Sequence, residues 1–232
     1  MKLEKETTSK APHRRRYEDA CATAHALDLL GDRWALLVVR ELMLGPRRFS
    51  DLRASLPGIS ANVLTQRLEE LEATGVVTRR RLPPPASAQV YALTEWGYES
   101  EPIFQALGRW AARSPSHDPT LPLSAASLLL SLRTMLDASR AKGLKVRIGF
   151  RFGLETFLGH LEKGRLDIAA GPVDGADVVL AGTPSVLAAA IYGGVPLATL
   201  VAQGKVAIDG DSAQAERFVT LFPLPPKADQ PT

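Results

Sequence analysis

The chain has 232 residues, 45% hydrophobic and 23% charged, enough apolar mass for a true core and incompatible with a disordered chain. Its 28 Lys+Arg outnumber its 25 Asp+Glu, and the surplus lies entirely in the first half: 17 against 14 up to Ser114, 11 against 11 beyond it. A single cysteine excludes an internal disulfide and suits a reducing cytoplasm. No stretch reads as a signal peptide or a bilayer span, so a cytoplasmic protein with no membrane partner is expected.

Residues 1–16 mix charges without periodicity, end in His13-Arg14-Arg15-Arg16, and read as a flexible arm. A helix follows over 17–30, with Cys21, Ala24, Leu27 and Leu30 on its inner side. Gly31 breaks it, Asp32 can cap the next helix over 33–44, and Gly45-Pro46 ends that one. In Arg47-Arg48-Phe49 the ring is expected inside and both guanidiniums outside. Ser50 can cap a short helix over 51–56, and Pro57-Gly58-Ile59 turns the chain into the stretch that organises the first half.

That stretch runs from Ser60 to Gly75. Leu64, Leu68 and Leu71 recur at helical spacing, Ser60 supplies a cap, and Gly75 a left-handed stop. The opposite face centres on Asn62 and Gln66, flanked by Thr65 and Glu69, and the carboxylates Glu69, Glu70 and Glu72 all fall in the helix's second half. Neutral hydrogen-bonding side chains on the first two turns, at the positive end of the helix dipole, suit insertion into a DNA major groove. Residues 76–81 and 89–93 then read as two strands of a hairpin. Arg79, Arg80 and Arg81 sit on its rising edge, where strand alternation cannot bury all three, and offer a phosphate grip. Thr94-Glu95-Trp96-Gly97 opens another helix, whose Ile103, Phe104, Leu107 and Trp110 exceed what a small core can cover and point to a second copy of the chain.

Leu29-Leu30-Gly31-Asp32-Arg33-Trp34, Leu44-Gly45-Pro46-Arg47-Arg48-Phe49-Ser50-Asp51-Leu52, the block from Ile59 to Leu71, and Tyr91-Ala92-Leu93-Thr94-Glu95-Trp96-Gly97 resemble successive blocks of the HxlR-type winged-helix regulators. The resemblance implies a dimeric bacterial transcriptional regulator, more often a repressor than an activator. It also implies duplex DNA as partner, touched by the helix from Ser60 and by the wing. The candidate DNA contacts are Arg47, Arg48, Ser60, Asn62, Thr65, Gln66, Arg67, Arg79, Arg80 and Arg81. Members of that family often carry a cysteine followed by proline in the first helix, which in some senses oxidants. Cys21 occupies that place with Ala22 after it, so a buried small apolar residue is the expectation and redox sensing the alternative.

Residues 114–123 are a linker by composition. A helix is expected over 124–141. Val146, Ile148, Phe150 and Phe152 alternate with polar residues or glycine as a half-buried strand, and strands over 156–161 and 166–170 are joined at Lys163-Gly164. A strand over 177–180, helices over 183–192 and 196–202, a strand and turn over 204–211, and a helix over 212–221 complete the pattern, with 223–232 as a tail. Gly175-Ala176-Asp177-Val178-Val179-Leu180, Gly182-Thr183-Pro184 and the block from Gly204 to Asp211 resemble the sterol-carrier-protein fold. That resemblance implies an apolar effector held between sheet and helices, with Phe150, Phe152, Phe157, Leu161, Leu187, Ile191, Leu197 and Leu200 as its lining. An ordinary solid core would use the same residues.

The expected architecture is therefore α+β: a winged-helix domain over 17–113 and a sterol-carrier-like domain over 124–222. Scattered histidines and the absence of a second cysteine or a phosphate loop argue against catalysis, metal and cofactor. The competing expectation is a carrier of lipids or other hydrophobes whose winged helix only dimerises or recruits a protein.

Overall fold

The computed structural model describes residues 17–83 and 87–229. The basic arm over 1–16, the Pro84-Pro85-Ala86 wing tip and the last three residues of the tail lie outside the described residues.

The first half is built from α1 (Ala22–Leu30), α2 (Ala35–Leu42), α3 (Phe49–Ser55) and α4 (Ala61–Ala73), then β1 (Val77–Arg81), β2 (Gln89–Leu93), α5 (Glu95–Tyr98) and α6 (Glu101–Ala112). The α4 helix forms as its sequence dictates. The Ser60 hydroxyl accepts from the Val63 amide at 3.2 Å, Leu64, Leu68 and Leu71 are buried, and Gly75 takes φ 78° beyond the end. Each of those leucines contributes roughly 1.5–3 kcal/mol by leaving water, and the cap about 1 kcal/mol. The hairpin pairs Val77 with Leu93, Arg79 with Tyr91 and Arg81 with Gln89.

Three local expectations fail. The first helix begins only at Ala22, leaving Cys21 exposed at its N-cap and Leu27 49% exposed. Trp34, in a left-handed conformation at φ 84°, precedes α2, while Asp32 turns to Arg67 of α4 instead of capping. Helix α3 starts two residues early, with Arg48 at its N-cap and Ser50 inside it.

The second half comprises α7 (Ala125–Met135), β3 (Val146–Phe152), β4 (Glu155–Glu162), β5 (Arg165–Ala170), β6 (Val178–Ala181), α8 (Pro184–Ile191), α9 (Leu197–Ala202), β7 (Ala207–Gly210) and α10 (Ser212–Val219). Ser124, Thr183 and Asp211 cap α7, α8 and α10 through their side chains. Helix α7 stops at Met135, short of the expected 141, because the Asp137 carboxylate accepts from the Ser139 and Arg140 amides and folds the chain into a turn. Lys163 and Gly164 both have positive φ, the signature of the tight hairpin turn between β4 and β5. The five strands lie in the order β5-β4-β3-β6-β7. Only the β3–β6 pair is parallel, a crossover that a strand-by-strand reading of the sequence does not contain.

The two halves share one buried apolar cluster. It runs from Val38, Leu42 and Leu68 through Leu128 and Leu132 of α7 to Phe150 and Phe218. Helix α7 lies against both α2 and α6. The Leu44 carbonyl accepts from the Ala170 amide at 2.9 Å, and the Lys227 ammonium donates to the Ala112 and Ser114 carbonyls.

Candidate nucleic-acid interface

Asn62, Thr65 and Gln66 all stand exposed on α4, and its first turn carries no acidic residue. The Gln66 amide donates to Glu70 at 3.1 Å, an i,i+4 bond on a solvated face that leaves the amide oxygen open. Ser60 is exposed, but its hydroxyl is committed to the cap.

On the wing, strand alternation puts Arg79 and Arg81 on one face and Arg80 on the other. Arg79 is tied down: its Nε lies 2.8 Å from Glu72 of α4, and its guanidinium lies 5.6 Å from the centre of the Tyr91 ring. Arg80 and Arg81 are exposed and form no ion pair among the described residues. The Arg79–Glu72 bridge and the packing of β1 on α4 hold the wing to the helix. Arg48 is exposed in front of α3.

Two arginines expected at this surface are not there. Arg67 is largely buried and pairs with Asp32 and with Glu70, the latter at 2.6 Å, so its charge is consumed inside the helical unit. Arg47 is likewise turned inward, pairing with Glu41 at 3.3 Å, with Ser55 at 3.2 Å and with Glu155 of β4. Glu41, a fully buried carboxylate on α2, also accepts from Arg40 at 2.8 Å and from the Ser124 hydroxyl at 2.7 Å. A glutamate between Val38 and Leu42 on an inward helical face is the sequence signal that announces a buried partner for these cations.

Cys21 is not the buried apolar residue expected. Its thiol is exposed, and the neighbouring backbone amides of Thr23 and Ala24, with the Thr23 side chain, hold its pKa below the ordinary thiol value.

Of the eight apolar residues expected to line a ligand tunnel, seven lie in the core and Ile191 packs against it. Phe150 lies 6.2 Å from Phe152 and 6.0 Å from Phe218, and Phe152 lies 6.1 Å from Phe157. Seven of the eight (Ile191 excepted) are buried, and Leu187 and Leu161 are at most 1% exposed. Of the eight, Phe157 alone borders either of the two principal cavities. One cavity, of about 170 Å³, lies between the halves, walled by Glu41, Leu44, Arg47, Ala126, Glu155 and Phe157 among others. The other, of about 370 Å³, is walled by Arg133, Leu158, His160, Asp167, Ala169 and Pro172 among others. Among the described residues no helix is long and apolar enough to cross a membrane.

Residues 29–118 match the family model described as HxlR-like helix-turn-helix. An uncharacterized HTH-type transcriptional regulator of Bacillus subtilis, YvaP, is 42% identical over 86 residues, 37% of this chain and 80% of that relative. The chain belongs to the HxlR-like helix-turn-helix family. A second such regulator from Bacillus subtilis, YodB, is 41% identical over 86 residues, covering 37% of this chain and 77% of its own length. The solved structure of the reduced form of YodB superposes with a TM-score of 0.38 at 37% identity, over 42% of this chain and 98% of that one. Beyond its HxlR-like half, the chain matches over residues 115–228 the family described as alkyl sulfatase C-terminal.

Proposed function

We propose that this HxlR-like chain is a dimeric DNA-binding regulator in the cytoplasm. In this reading α4 enters a major groove with Asn62, Thr65 and Gln66 at the base edges, while Arg80, Arg81 and Arg48 meet phosphates. One observation carries it: an exposed helical face without a first-turn carboxylate is pinned to a hairpin bearing two exposed arginines that form no ion pair among the described residues. Dimerisation is supported by Ile103, Leu107 and Trp110 of α6, which are 51%, 44% and 73% exposed. The other side of α6 is occupied by α7. Repression is the sign of regulation in this reading, as the family resemblance implies, with activation the alternative.

We infer a sensing role for the second half, a sterol-carrier-like module in this reading. Its match to the alkyl sulfatase C-terminal family supports an effector with an apolar chain. In this reading the effector lies against the open cavity of about 370 Å³ beside Leu158, Ala169 and Pro172, whose wall also carries Arg133, His160, Asp167 and Asp174. In this reading the chain is a regulator rather than an enzyme or a carrier. Native mass spectrometry of the purified protein reads the dimer and any retained apolar molecule together.

Binding measurements on matched and mismatched duplexes at several salt concentrations test the DNA reading. Arg80→Ala should weaken binding to every sequence and lower the salt slope by about one. Gln66→Ala should relax preference at one base pair, worth about 1–3 kcal/mol, with the slope unchanged. Equal losses for Gln66→Ala on all duplexes would remove its reading role.

A further inference from the structure

Arg47 joins three parts of the molecule. Its backbone amide donates to the Tyr91 carbonyl at 2.9 Å and its carbonyl accepts from the Tyr91 amide at 2.8 Å, so the residue acts as a one-residue third strand of the wing. Its guanidinium reaches Glu41 of α2, Ser55 of α3 and Glu155 of β4. Glu41 in turn holds the hydroxyl of Ser124, the cap of α7. The two acidic partners differ in kind. Glu41 is wholly buried, whereas the Glu155 side chain is 42% exposed at the cavity between the halves. A buried, multiply bonded pair is costly to break, and a solvated one is readily exchanged.

We propose that Arg47 is a positioning residue for duplex binding, and that the Glu155–Arg47 contact is the latch through which the second half sets the wing against α4. The inner pair with Glu41 anchors the guanidinium permanently. The outer pair opens and closes as β4 moves, and the backbone bridge to Tyr91 passes that motion to the strand beside Arg79, Arg80 and Arg81. The inference rests on the reading of α4 and the wing as the duplex-binding surface.

Glu155→Gln separates the latch from plain electrostatics, because the two predict opposite signs. Deleting a carboxylate from a DNA-binding face raises duplex affinity, whereas opening a latch lowers it. The full-length variant should bind duplexes from upstream of its own gene roughly two- to thirty-fold more weakly than wild type. Its salt slope should not change, because no phosphate contact is lost. Hydrogen exchange at the Arg47 and Tyr91 amides should accelerate while that of Leu68 and Leu71 in α4 does not. Equal or tighter duplex binding by Glu155→Gln, or unchanged exchange at Arg47 and Tyr91, would overturn the latch. If wild type itself shows no salt-dependent duplex affinity, the DNA reading falls, and the exchange measurement alone then decides whether Glu155 restrains the wing.

Discussion

Single side chains divide into those the surface offers and those the interior consumes. Arg80 and Arg47 carry the same charge and lie 33 positions apart in the sequence. One is left to solvent, and the other is taken by Glu41 and Glu155. Cys21 shows the converse error, an apolar expectation overturned because the helix begins one residue after it. With amide donors aimed at its sulfur, the thiolate is favoured and the folded-state pKa lies below that of a free thiol. The reactive thiolate fraction therefore persists to lower pH in the folded chain than in the unfolded one. Alkylation by iodoacetamide, followed by mass spectrometry across a pH series, should show a lower midpoint for native protein than for the same protein in denaturant. Coincident midpoints would mean that the Thr23 and Ala24 amides do not stabilise the thiolate in solution.

Whole elements were legible wherever the instructions are local. The α4 span, the wing strands and the Lys163-Gly164 turn follow from caps, leucine spacing and turn chemistry within a few residues of each other. The parallel β3–β6 pairing was not legible, because it joins segments about 30 residues apart with no sequence code for which edge is used. Helix α6 was legible in a different way, through an apolar side too large for its own half. In the monomer that side stays open while α7 covers the other, so its burial requires a second chain. Trp110→Asp, at the most exposed of these positions, should convert a dimer to a monomer in sedimentation velocity. Its thermal midpoint should stay near that of the wild-type monomer at high dilution, because Trp110 is 73% exposed in the single chain. A variant that remains dimeric would move the interface elsewhere, α1 with its exposed Leu27 being the next face to test.

At the scale of the molecule, composition and linker chemistry suggested two units on a tether, and the structure joins them. The joint could not be read in sequence because its partners are distant: Glu41 meets Ser124, Arg47 meets Glu155, Glu101 meets Arg133 and Leu44 meets Ala170. A continuous core under these contacts makes the halves one cooperative unit, so unfolding of either should expose the other. The three tryptophans, Trp34, Trp96 and Trp110, all lie in the first half, whereas the five-stranded sheet lies in the second. Tryptophan emission thus reports the first half alone, whereas far-ultraviolet dichroism sums the helices and strands of both. Their denaturant midpoints should coincide in the wild type. Glu41→Ala strips the buried carboxylate from Arg40, Arg47 and Ser124 at once, and although Arg47 keeps Glu155 and Ser55, breaking a buried pair of this kind costs up to about 3–5 kcal/mol. Both midpoints should fall together by the equivalent amount in urea, although the substitution lies in the first half. If the tryptophan midpoint falls while the dichroism splits into two steps, the second half folds independently, and the buried carboxylate is a local feature of α2 with no role in holding the halves together.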